Sequence, residues 1–253
     1  MNLNHLAETI SIIGPALLAG LLVLATHVPL GQQVLRRGIV FIDLAVAQIA
    51  ALGVMLAGFL GWEEQGWLVQ LAAVSAALLG ALLLNWMEKR WPEIQEALIG
   101  AVFVLAASAG ILLLANNPHG GEHLKDVLAG QILWVGPSQL MVSALVSSFI
   151  LALWFAQKNV ARGRSFYLLF ALAVTVSVQL VGVYLVFSSL ILPALAVRSW
   201  PAHKQLWGGY GVGAAAYTIG LVLSAVFDLP SGAVIVWCLA LTGIFANTRR
   251  FGI

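Results

Sequence analysis

Asp43 stands in the stretch "LRRGIVFIDLAVAQIAALGV", which opens on Arg36 and Arg37 and is otherwise apolar apart from Gln48. An ionisable group in such a segment is expensive and is a functional candidate by default. Facing the interior of a helical bundle, its carboxylate would meet a cation or move with a gate. The competing reading is structural: six residues of helix rise only ~9 Å, so Asp43 lies within reach of Arg36 and Arg37 and can neutralise or cap that edge. Gln48 is five residues on, off the i+4 stripe, so it need not share the same site. His27, in "ATHVPLG", is a lone imidazole near the end of the first apolar run. A buried, hydrogen-bonded histidine is the commoner outcome. Pairing with Asp43 would instead orient one ring nitrogen and free the other as a ligand.

A second cluster lies in "NNPHGGEHLKD", where His119, Glu122, His123 and Asp126 gather. Imidazole and carboxylate suit borderline divalent metals such as Zn²⁺ or Mn²⁺, so this loop is a candidate metal-attracting vestibule, weighed against a plain solvated loop. The spelling H-x-x-E-H also matches an inverted zinc-protease motif. That match fails on conformation, because Gly120 and Gly121 argue for a turn where a helix must present both histidines.

The elements that must hold these groups are membrane spans. The chain has 253 residues, 61% hydrophobic and 9% charged, with a mean hydropathy of +0.99. Such a balance excludes a soluble domain. Apolar runs fall at roughly 10–31, 39–61, 67–87, 97–115, 127–156, 166–197, 206–227 and 231–247, against ~20 residues per span. Continuous runs of this length predict an all-α polytopic bundle rather than a barrel of short alternating strands. We expect about 8 spans and one additional short or re-entrant helix, within a single transmembrane domain over 1–253. The first run, preceded by no basic segment, is read as a retained span. No basic, aromatic-interleaved patch suggests nucleic acid. Cys238 is the only cysteine, so no internal disulfide can form. Small-residue spacings, Gly209 with Gly213 and Ala76 with Gly80, suit close helix packing.

The junctions sort the charge. If Arg36, Arg37, Lys89, Arg90, Lys158, Arg162, Arg164, Arg198, Lys204, Arg249 and Arg250 face the cytoplasm, only Lys125 of the twelve basic residues lies outside. The N-terminus is then outside and the C-terminus inside, and the number of crossings is odd. The run 166–197 begins and ends near inside-facing arginines, so it must go out and return. Its ~32 residues are too many for one span and too few for two. Gly182 and Pro193 are the candidate breaks. A broken helix at membrane depth is tolerated where it lines a cavity or is buried in protein, which points to a translocation pathway. No G-x-x-x-x-G-K-[ST] occurs and every loop is short, so a separate subunit must hydrolyse any ATP that drives transport.

Four segments in order resemble the permease subunits of zinc, manganese and iron ABC importers. "PLGQQVLRRGIVFID" resembles that family's P-L-G-x-x-x-x-x-R-R segment leading to Gly-Asp-x-Leu-Ser-His-Ala, with Asp43 on the aspartate. "LKDVLAGQILWV" is similar to its D-x-L-F-G-D-I-L stretch. "VGVYLVFSSLILPALAVR" is similar to its V-G-x-L-L-V-x-x-L-L-I-L-P-A-x-x-A-R block, with Pro193 and Arg198 in place. "FDLPSGAVIV" is close to D-L-P-S-G-P-x-I-V. The resemblance implies a homodimer in the bacterial inner membrane, two cytoplasmic ATPase subunits, and a periplasmic or surface-tethered metal-binding protein. It implies no permanently bound cofactor, only a transported metal ion in transit.

Two departures stand out. Ile42 replaces the family's glycine, and Ala47 replaces the histidine four residues after the aspartate, which leaves Asp43 to act with His27 or Gln48. The connection "AQKNVARGRSF" is shorter than in relatives, where the resemblance suggests a helix docks into the ATPase. Arg162 and Gly163 then carry coupling in what remains, or the turn around "AVRSWPAHKQ" with Arg198 does. Three rivals stay open: a permease for a chelated metal or siderophore-type cargo, an intramembrane metalloenzyme on His119, Glu122 and His123, and a secondary transporter without ATPase subunits.

Overall fold

Residues 3–62, 66–114, 132–156 and 163–248 are described by the computed structural model. Within them the apolar runs become nine α-helices and no strand. They are α1 (Leu3–Arg37), α2 (Ile42–Phe59), α3 (Trp67–Arg90), α4 (Gln95–Leu114), α5 (Pro137–Ala156), α6 (Arg164–Val181), α7 (Val183–Ala196), α8 (Ala202–Phe227) and α9 (Ser231–Thr248). Seven of the helical segments are long and apolar enough to cross a membrane, and Val183–Ala196 and Ser231–Ala246 are shorter apolar helices. The chain is therefore a multi-pass helical bundle of the kind found in inner membranes, where each helix satisfies its own backbone.

Element ends differ from the apolar runs for local reasons. Helix α1 runs through Pro29 and continues six residues past the expected end at 31, to Arg37. In the described part of the run from 127, a 3₁₀ turn over Ile132–Trp134 precedes the α-helix that begins at Pro137, a residue suited to a first turn. The long run breaks at Gly182, whose φ of 80° and ψ of 163° belong to a region essentially closed to residues with a Cβ. Pro193 lies inside α7, which runs on to Ala196, so it is not the break. Helix α6 packs against α3 and α2, whereas α7 packs against α1 and α9, so the chain changes partners across this one glycine.

The bundle is sorted into interior and rim. The spanning windows of α1, α2 and α6 are more than half buried, and α7 is buried along most of its length. Helices α4 and α5 bury little and present Val104, Leu105, Leu112, Leu145 and Phe149 outward, as lipid-facing spans do. Close approach depends on small residues within the chain. Gly209 faces Val28 and Gly213 faces Leu24, both on α1, while Gly80 faces Ile49 and Gly53 faces Ala76. The small-residue pairs noted in the sequence are thus seams between helices of one chain.

Candidate functional site

The end of the bundle carrying the basic residues is tied together by side chains from five helices. Arg37 donates to Glu88 Oε1 at 3.1 Å, and its guanidinium lies over the rings of Phe166 (4.3 Å) and Tyr167 (5.6 Å). Gln95 Nε2 donates to the Tyr167 hydroxyl at 2.7 Å. Arg36 donates to Gln205 Oε1 at 3.3 Å, while Gln205 Nε2 donates to the carbonyls of Arg198 (3.1 Å) and Trp200 (2.9 Å). One amide therefore fastens the α7–α8 turn to the end of α1. Replacing it, Gln205→Ala, frees two carbonyls and a guanidinium at once. With about 1 kcal/mol for the part-buried bond to Trp200 and little for the two exposed ones, the thermal midpoint in detergent should fall by about 2–5 °C, as read by differential scanning fluorimetry.

Asp43 stands apart from this network. It sits in the first turn of α2, is 1% exposed, and its Oδ1 is buried without a hydrogen-bond partner. The ion pair found at the arginine edge joins Arg37 to Glu88, and Arg36 reaches Gln205, so neutralising that edge does not account for the acid. Negative charge in a helix's first turn is favoured by the macrodipole, yet an unpaired carboxylate oxygen in a spanning helix remains costly.

His27 is fully buried in α1. Its Nδ1 lies 2.9 Å from the Val23 carbonyl, which can only accept, so that nitrogen carries the proton. Thr26 Oγ1 sits 3.0 Å from the same nitrogen. Nε2 is left buried without a partner, and its lone pair is the one free to ligate. No hydrogen bond joins His27 to Asp43, so the orienting partner of the imidazole is a backbone carbonyl. Gln48 is buried at 6% and falls on the α2 stripe that carries Phe41 and Leu44, whereas Asp43 shares its stripe with Ala47.

Of the other candidates, His119, Glu122, His123 and Arg162 lie outside the described residues. Among the described residues no group of three or more His, Cys, Asp or Glu side chains could hold a metal ion. Gly163, at φ 75°, is the N-cap residue before α6, and Arg198 is exposed in the turn that Gln205 holds. A polar cavity of about 390 Å³ lined by Gln32, Arg36, Arg198 and Gln205 opens there. Asp228 caps α8 in the left-handed conformation, at φ 52°, a conformation that Asp tolerates better than most residues.

Residues that sequence reasoning passed over are Glu88, Glu96 and Gln205. Glu88 was legible as the one acid beside Lys89 and Arg90 in the last turn of α3. Glu96 accepts from the Phe41 N–H at 3.2 Å, across 55 positions of sequence, and nothing local announces that contact.

A bundle of spanning helices with a broken interior helix, a buried unpaired acid and a fastened basic end defines a membrane transport subunit, and comparison with known proteins specifies the class. The family model described as the ABC 3 transport family matches residues 9–161 and 160–249. The chain belongs to that family, whose members are the membrane-spanning permeases of ATP-binding-cassette transporters. Among curated relatives, it is 25% identical to the high-affinity zinc uptake system membrane protein ZnuB of Haemophilus influenzae, over 94% of this chain and 98% of that protein. It is 26% identical to a probable metal transport system membrane protein of Chlamydia trachomatis, over 81% and 78% of the two chains. Among solved structures it superposes on PsaBC from Streptococcus pneumoniae in complex with Fab. There the TM-score is 0.76 and the identity 20%, with 95% of both chains covered.

Proposed function

We propose that this permease moves a divalent transition-metal ion (zinc, manganese or iron) into the cytoplasm, driven by separate cytoplasmic ATPase subunits. The observation that carries the reading is Asp43, a buried acid with an unsatisfied oxygen in a family whose relatives bear metal-transport names. In this reading two copies of the chain form the pathway, Asp43 supplies a hard oxygen ligand, and His27 Nε2 and Gln48 are the nearest nitrogen and amide donors in sequence. His119, Glu122 and His123 collect the ion delivered by an external metal-binding protein. Arg198, on the turn fastened by Gln205, meets the ATPase together with Arg162 and Gly163. The chain itself catalyses no reaction, binds no permanent cofactor and contacts membrane lipid but no nucleic acid.

Elemental analysis of cells starved of metal tests this. Strains lacking the gene should lose one transition metal selectively, and wild-type protein should restore it. An unchanged metal content would remove free metal as the cargo. Ala47, standing where relatives carry histidine, favours the second reading in that event, a chelated metal that needs no imidazole on its route. Uptake of free against chelated metal separates the two.

A further inference from the structure

An aromatic-lined groove of about 500 Å³ opens where the turns at Gly182 and Asp228 lie, the face opposite the basic end. Trp134, Tyr184, Leu229 and Trp237 form its walls, and it reaches down α7 to Ser188 and Phe187. There it meets α2. The Phe187 ring stacks on Phe41, with centroids 6.5 Å apart and planes 4° from parallel. Phe41 is four residues past Arg37 and two before Asp43. Phe187, which lines the groove, thus stacks on a ring from the start of α2, the helix that follows the basic end of α1.

Phe41 holds an odd position. It is the N-cap of α2 and makes no side-chain cap bond, although Ser, Thr, Asp and Asn are the residues that stabilise this place. Its own N–H is served instead by Glu96, from the start of α4. A neighbouring helix has taken over the polar work, and the large ring, 48% exposed in the single chain, is left for another purpose. Phe187 is carried by the short helix that joins α6 through Gly182 alone, so a swing of α7 about that glycine would part the rings.

We propose that Phe41 and Phe187 are the barrier between the groove and the basic end, an apolar plug at the start of α2 that a hydrated cation cannot cross until α7 moves away. An apolar constriction stops ions because they cannot shed water there at tolerable cost. The proposal rests on reading the chain as an importer permease, and its test is chosen to be independent of the cargo.

Full-length protein, extracted with whichever subunits copurify, is reconstituted in liposomes without nucleotide. Entry of Mn²⁺ and of Tl⁺ is followed by quenching of trapped dyes. Wild type should hold both ions out. The double variant Phe41→Ala/Phe187→Ala should admit them at least ten-fold faster, and Phe41→Leu/Phe187→Leu, which keeps apolar bulk, should stay tight. Faster Tl⁺ entry with Mn²⁺ still excluded would uphold the barrier while counting against a divalent cargo. A correctly assembled double alanine variant that stays tight would overturn the proposal. So would a leucine variant as leaky as the alanine one, because leakage would then report a loosened fold.

Discussion

Asp43→Asn lowers metal uptake at least ten-fold while the amount of protein in the membrane stays unchanged. The carboxylate is buried in the first turn of α2 with one oxygen unpaired, and the neighbouring arginines have other partners in Glu88 and Gln205. Asparagine keeps the shape and one carbonyl oxygen but loses the charge that attracts a cation. A purely structural acid would behave differently, its loss lowering the midpoint and leaving uptake per folded molecule alone, whereas removing an unpaired buried charge leaves stability unchanged or raises it. Measured together, uptake and the thermal midpoint should therefore part company, with uptake falling and the midpoint steady or higher. Uptake that stays normal would strike Asp43 from the pathway.

The second large effect concerns packing. Gly31→Ala should destabilise the protein by more than 1–3 kcal/mol, the usual cost of overpacking, and sharply cut the yield of folded material. A Cβ there would collide with the backbone carbonyl oxygen of Leu190 and lie 2.9 Å from its carbonyl carbon. Backbone cannot rotate out of the way as a side-chain tip can, so α1 and α7 would have to separate. Gly14→Ala is the control, because nothing lies within 4 Å of its Cβ position. That change should be neutral or stabilise by roughly 0.5–1 kcal/mol, the ordinary glycine penalty in a helix. Melting curves in detergent, with monodisperse yield by size exclusion, distinguish the two.

Much of the fold was legible because a bilayer allows few solutions. The apolar runs and the sorting of arginines and lysines predicted the spans, and charge parity required the long run 166–197 to turn back. The choice of Gly182 over Pro193 was not legible. A proline in a helix loses one hydrogen bond, and a buried helix such as α7 can absorb that loss, whereas only the backbone angles at Gly182 reveal a real change of direction. At the site, Asp43 announced itself by type and place. The partners of Arg37 did not, since Glu88 reaches it from two helices away. Nor could the sequence show that His27 turns its proton to Val23, four residues back in its own helix, rather than toward Asp43.

The short helix α7 also bears on how the protein is made. At 14 residues it is ~21 Å long, less than the ~30 Å of hydrocarbon a span must cross. It leaves the ribosome before α8 and α9, the helices that will enclose it together with α1. The insertion machinery therefore meets a segment too short to be held on its own merits, whose serines, Ser188 and Ser189, already bond back to the carbonyls of Tyr184 and Leu185. Until Tyr217 emerges to meet Ser189, α7 is a guest in the membrane that depends on α1, made long before it, and on α6 to which it is tied. Biogenesis of this permease thus includes a late step in which α8 and α9 close over a segment that was waiting for them.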